Sequence, residues 1–327
     1  MNRTPRASFA PTVRPLGRDP EEIDPEFDRM MQVAGVERDD FLALLDRPYD
    51  AVTAIVREAA AGRPAYPFMA VQEIDDSALR AMIEDEPDAD ALAARRILTD
   101  RIMQLYLLRA LSAMPDAEFD TRVSVTGADL VQDALAAGEG VLLLNSHIGP
   151  GRLVPLIVAR LGWQVTSLAP HDFLPMIGVD CGDRIDVVAL AGNAGLAPLG
   201  AARQALQAGG IVTTTGDGLR GRGKDVYPFL ESERPFTDSF AFLSIASGAR
   251  CLPVFMHCEE DGAIAMDICP AIETGDPAAP VRERIEAMTR DYIDILEQRW
   301  LSDFTNLPAR SVAMYNREFR GRRKQDS

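Results

Sequence analysis

His147 closes the apolar run Gly140-Val141-Leu142-Leu143-Leu144-Asn145-Ser146 and is one of only three histidines in 327 residues. An imidazole with an unperturbed pKa of about 6.5 can take a proton from an acceptor and return it to a leaving group near neutral pH. Ile148-Gly149-Pro150-Gly151 follows, then Leu153, Leu156, Ile157, Ala159 and Leu161 at roughly helical spacing, which puts His147 on a short strand-to-helix loop. Loops after the carboxyl ends of strands are where open α/β sheets bind ligands. The competing reading is a structural histidine that caps a strand end, and the wider pattern has to decide between the two.

A second loop of the same kind follows Gly210-Ile211-Val212-Thr213-Thr214-Thr215. It reads Gly216-Asp217-Gly218-Leu219-Arg220-Gly221-Arg222-Gly223-Lys224. Its four glycines permit close backbone approach, and Arg220, Arg222 and Lys224 offer charge to a phosphate or a pantetheine-linked anion. The loop does not have the GxxxxGK[ST] spacing, so a flexible hairpin with solvated charges is the alternative. His171 lies on a loop after the next strand and reads as a surface residue. His257 ends a later strand and reads as structural. The four cysteines have neither CxxC nor metal-ligand spacing, which indicates no metal site and no disulfide framework; Cys181 in Asp180-Cys181-Gly182 reads as a buried thiol.

The elements that must position these loops alternate. Leu153–Leu161 reads as helix, Gln164–Leu168 and Asp186–Leu190 as strands, Leu196–Ala208 as helix and Gly210–Thr215 as strand. Ser239–Ser247 reads as helix, and Cys251–His257 and Ala263–Ile268 as strands. The pattern predicts an α/β fold, a central mostly parallel or mixed sheet flanked by helices, with a helical N-terminal region. The expected organisation is an extended or disordered segment 1–28, the helical region 29–120, an α/β domain 121–300 and a C-terminal extension 301–327 with a basic tail. Val125–Leu135 reads as a helix leading to Gly138-Glu139-Gly140.

A chain with 47% hydrophobic residues and 26% charged ones can build a large core. Its formal net charge of −16 argues against a nucleic-acid partner and offers no general attraction to anionic lipid. No apolar stretch has the length of a signal peptide or membrane span. The expected location is therefore cytoplasmic, with at most peripheral membrane contact at the inner face of the cell membrane.

Taken in order, the segments Gly140–His147, Gly195–Gly210 leading to Gly216-Asp217, Val226-Tyr227-Pro228-Phe229-Leu230 and Ala246–Val254 resemble the lysophospholipid acyltransferase superfamily, specifically its bacterial lipid A late acyltransferase-like branch. The similarity runs from about Val125 to Glu297 and rests on the order of the segments. It implies a glycerolipid acyltransferase-like fold. It also implies acyl transfer from a thioester co-substrate, acyl carrier protein or coenzyme A, to a hydroxyl or amine on a small-molecule or lysolipid acceptor, with no further cofactor. His147 takes the family's general-base position. Ser146 and Gly149 fall beside it in the binding loop.

The family holds its histidine with an acid five residues on, and Arg152 stands there in this chain. A guanidinium cannot accept the imidazole N–H, and its charge close by would disfavour the imidazolium. Either Asp217 or Asp172 orients His147 from across the site, or the base works without an orienter, or the fold serves another task. Arg152 itself is suited to a carboxylate or phosphate. A catalytically degenerate acyl- or lipid-binding protein and a thioesterase are the alternative readings.

Overall fold

The computed structural model describes residues 9–16, 25–71, 73–83, 87–170, 172–190, 196–218 and 224–325. Seven strands form one sheet: β1 (Val123–Thr126), β2 (Val141–Asn145), β3 (Val165–Ala169), β4 (Ile185–Ala189), β5 (Ile211–Thr215), β6 (Arg250–Cys258) and β7 (Ile264–Ile268). Their order across the sheet is β1-β7-β6-β2-β5-β3-β4. Only the β6–β7 pairing is antiparallel, so five strands run one way and β1 and β7 the other. This is the mostly parallel α/β sheet that the alternation of patterns predicts.

The apolar run before His147 is continuous because β2 lies mid-sheet and is covered on both faces. Val141 and Leu143 join one core, and Leu142 and Leu144 the other. The first core is built with Phe27, Phe41, Val52 and Leu105 of the N-terminal helices and Leu156 of Val154–Arg160. The second is built with Leu206, Phe240, Tyr292 and Tyr315 of the helices Ala197–Gln207, Ser239–Ser247, Val281–Ser302 and Ala309–Gln325. Truncating a fully buried leucine such as Leu143 to alanine would cost about 2–5 kcal/mol.

One segment differs from its sequence reading, and two others gain a form that the reading leaves open. The span read as one helix from Val125 is a strand, β1, followed by the helix Ala128–Ala136. Gly127 separates them at φ +70°, where a Cβ would stand 2.1 Å from the carbonyl oxygen of Ile268, so the chain turns where only glycine fits. Val226–Leu230 belongs to a two-stranded hairpin, Lys224–Phe229 with Ser232–Thr237. The segment beyond residue 301 carries a helix, Ala309–Gln325, whose Val312 and Tyr315 are buried in the second core. Among the described residues no helix is long and apolar enough to cross a membrane.

Candidate active site

Register alone brings two loops together. β2 and β5 are parallel neighbours with Asn145 opposite Thr215, so His147 and Asp217 each lie two residues past the same rung, at the carboxyl ends. Gly216 makes the approach possible. Its N–H donates to the Asn145 carbonyl at 2.9 Å, and a side chain there would lie 2.6 Å from the Tyr292 ring.

His147 Nδ1 is 2.8 Å from Asp217 Oδ1, and the backbone N–H of His147 donates to both carboxylate oxygens at 3.1 Å. Asp217 is 1% exposed, whereas the His147 side chain is 56% exposed. Burial alone would raise the Asp217 pKa. The His147 ring, its hydrogen bonds and the charge of Arg234 outweigh that and hold the carboxyl below the ordinary range. Arg234 also donates to the Asp217 carbonyl at 3.2 Å and lies over the rings of Phe229, Phe236 and Trp300. An ionised Asp217 can only accept, so Nδ1 carries the proton and Nε2 is left as the ring's acceptor. The partner of His147 thus comes from across the sheet. Asp172 borders the same cavity but accepts from the Leu174 N–H at 3.1 Å instead.

Around this pair opens a cavity of about 880 Å³. Its lining includes Thr213 and Thr215 of β5 and Ser167 of β3. Its walls include Val36, Phe68, Leu108 and Leu156, so the N-terminal helical region faces the site.

From His147 to Arg152 every backbone N–H of the loop is engaged, that of His147 by Asp217. Ile148 N–H donates to Ser146 Oγ at 3.1 Å, Gly149 N–H to the Asn306 carbonyl at 2.8 Å, Gly151 N–H to the Gly149 carbonyl at 3.0 Å and Arg152 N–H to Gln104 Oε1 at 3.1 Å. Backbone amides of this loop would have been natural oxyanion donors. Those from His147 to Arg152 are instead spent on holding the loop and the pair. Ser146 is buried with its hydroxyl oxygen accepting from Ile148, so it shapes the loop. Gly149 sits at φ +61°, where a Cβ would be 1.9 Å from the Met256 carbonyl oxygen.

Arg152 lines the cavity, and its guanidinium engages Arg101 and Phe173 and makes no contact with His147. It donates to the Arg101 carbonyl at 3.2 Å, and its Cζ lies 4.2 Å from the Phe173 ring centroid. Burial, then the neighbouring Arg101 charge, pushes its pKa down to about 10, so it remains a cation at neutral pH. The expected unfavourable pairing of Arg152 with the imidazolium is therefore not what this side chain makes. Arg220 and Arg222 lie outside the described residues, as does His171, and Lys224 enters only through its backbone at the start of the hairpin.

His257 stands apart from the cavity, within 3.3 Å of Asp267 and 3.5 Å of Asp303. Burial pushes the Cys181 thiol up to about 12, so it stays protonated. Sequence reasoning passed over Gln104, Arg101 and Asn306. Gln104 left a signal, a polar residue on the otherwise apolar face of helix Arg101–Ala113; Asn306 left none.

Among curated proteins none matches the chain. Among solved structures it is similar to the 1-acyl-sn-glycerophosphate (LPA) acyltransferase PlsC from Thermotoga maritima, 14% identical, over 80% of this chain and 98% of that chain, at a TM-score of 0.33. The family model of the bacterial lipid A biosynthesis acyltransferases matches residues 80–299, a span that holds the whole sheet and both His147 and Asp217. On that match the chain belongs to the bacterial lipid A biosynthesis acyltransferase family and is an acyltransferase.

Proposed function

We propose that this acyltransferase takes its acyl group from a thioester, on acyl carrier protein or coenzyme A, and gives it to a hydroxyl or amine acceptor, with His147 as general base and Asp217 as its orienting carboxylate. The observation that carries this reading is the His147–Asp217 pair at 2.8 Å on the rim of an apolar-walled cavity. His147 Nε2 takes the proton of the acceptor O–H or N–H as that atom attacks the thioester carbonyl. The tetrahedral intermediate then breaks its C–S bond, and the imidazolium returns the proton to the departing sulfur. Asp217, ionised and buried, fixes the tautomer and stabilises the imidazolium while it lasts. Apolar walls suit the acyl chain.

The experiment is free-thiol release from acyl-coenzyme A and acyl-carrier donors, with and without amine, hydroxyl and lysolipid acceptors, for wild type and His147→Ala. Acceptor-dependent release that falls at least about a hundredfold in the variant is expected. An undiminished variant removes His147 from the chemistry. Release that needs no acceptor replaces transfer by thioester hydrolysis.

A further inference from the structure

Arg152 is the one residue of the loop whose chemistry the proposed reaction does not use. Among the described residues its guanidinium donates only to the Arg101 carbonyl, and no carboxylate lies within ion-pair distance of it. Arg152 is half-buried, and Asp100, the carboxylate that acts on its charge, makes no ion pair with it, so the guanidinium is desolvated without a bonded anion unless a ligand supplies one. Phe173 covers one face of the guanidinium, which leaves its remaining N–H edge as the part able to take a ligand.

The cavity that Arg152 lines has a charge balance of its own. Arg101, Arg152 and Arg310 border it, against Asp100 and Asp172, an excess of one positive charge. Asp100 is committed as the N-cap of helix Arg101–Ala113, accepting from the Ile102 N–H at 2.8 Å, and Asp172 accepts from Leu174. One excess charge and a planar donor edge match a singly charged, planar anion better than a phosphate dianion. Beyond Arg152 the walls turn apolar at Leu108, Leu156 and Phe68.

We infer that the cavity takes a carboxylate-bearing amphiphile, its carboxylate on Arg152 and its apolar body along the wall made with the N-terminal helical region. The inference rests on the proposed transfer reaction in one respect: it makes this amphiphile an acceptor, presented to His147 by the anchor five residues away. A released acyl chain carries the same carboxylate, and the experiment separates the two.

Isothermal titration below micellar concentrations would compare octanoate, octanol, octylamine and octyl phosphate on the full chain, with acetate as the anion without a chain. Wild type is expected to bind octanoate at least about tenfold tighter than octanol or octylamine, and acetate weakly. Arg152→Gln should lose that preference while keeping its affinity for octanol, which serves as the control for fold; Arg152→Lys should keep part of it. His147→Ala should keep the preference, so a failure of the catalytic reading leaves this result untouched. Octanoate bound no tighter than octanol, or a preference that persists in Arg152→Gln, overturns the inference, and octyl phosphate bound tighter than octanoate overturns the choice of carboxylate. Labelled 2-aminodecanoate, offered with the acyl donors, then assigns the source. N-acylation marks an acceptor site, and binding without acylation marks the seat of a released acyl chain.

Discussion

The carboxylate that holds His147 is contributed by the neighbouring strand rather than by the next helical turn, and this relocation can be tested atom by atom. In Asp217→Asn the amide cannot stabilise an imidazolium and can bind the ring in the wrong tautomer, so acyl transfer should fall by about 10²–10⁴. A rate within a few-fold of wild type would remove Asp217 from the mechanism. The same substitution carries a stability signature. The folded-state pKa of Asp217 is depressed, so its ionised form stabilises the fold fully above about pH 4 and that contribution is lost as pH falls through the depressed folded value. Urea unfolding should therefore show a gap between wild type and Asp217→Asn that is full at pH 7 and narrows in acid. At this scale much was legible. An imidazole at the end of an apolar run and an acid after Gly216 both stand out as residue types, and Asp217 is one of two acids the sequence offers as the partner. What the sequence does not carry is direction: Arg152 occupies the position of the expected acid, yet its side chain turns to Arg101 and Phe173.

At the scale of elements, the site depends on a loop whose amides from His147 to Arg152 are engaged and whose fit is set by one glycine. Gly149→Ala puts a Cβ 1.9 Å from the Met256 carbonyl oxygen at a positive φ, so the loop or the end of β6 must move. A loss of more than about 1 kcal/mol in urea unfolding is expected, together with slower transfer, because the displaced loop carries His147. Full stability with full activity would show that this close approach is not a constraint. The fastening partner is remote in sequence. Asn306 takes the Gly149 N–H on its carbonyl and the Cys258 N–H on its side chain at 2.7 Å, tying the loop to the end of β6. Periodicity finds strands such as β2 and helices such as Ser239–Ser247 because burial repeats along them. It misread β1 because four strand residues run without a gap into a helix, and the single signal of the change is Gly127.

Across the whole molecule, the N-terminal helices are a wall of the cavity at His147 as well as one side of a core. Phe41, Val52 and Leu105 share a core with Val141 and Leu143 of β2, while Val36, Phe68 and Leu108 face the cavity. An apolar pattern tells that a helix face is covered and leaves open whether protein or substrate covers it, which is why this region reads from sequence as featureless packing. The distinction predicts a selective effect. Val36 is 7% exposed and borders the cavity, so Val36→Trp should intrude on its volume more than on the sheet. Turnover of the longest tolerated acyl chains should drop at least about tenfold, a loss set by steric exclusion. Turnover of short chains should stay near wild type, shifting the chain-length optimum downward in a donor series of increasing length. A uniform loss at every length, with a lowered melting temperature, would mean that Val36 serves the core alone. A shifted optimum would place the substrate against residues more than a hundred positions before His147, and would make the helical region the part of the chain that sets acyl-chain length.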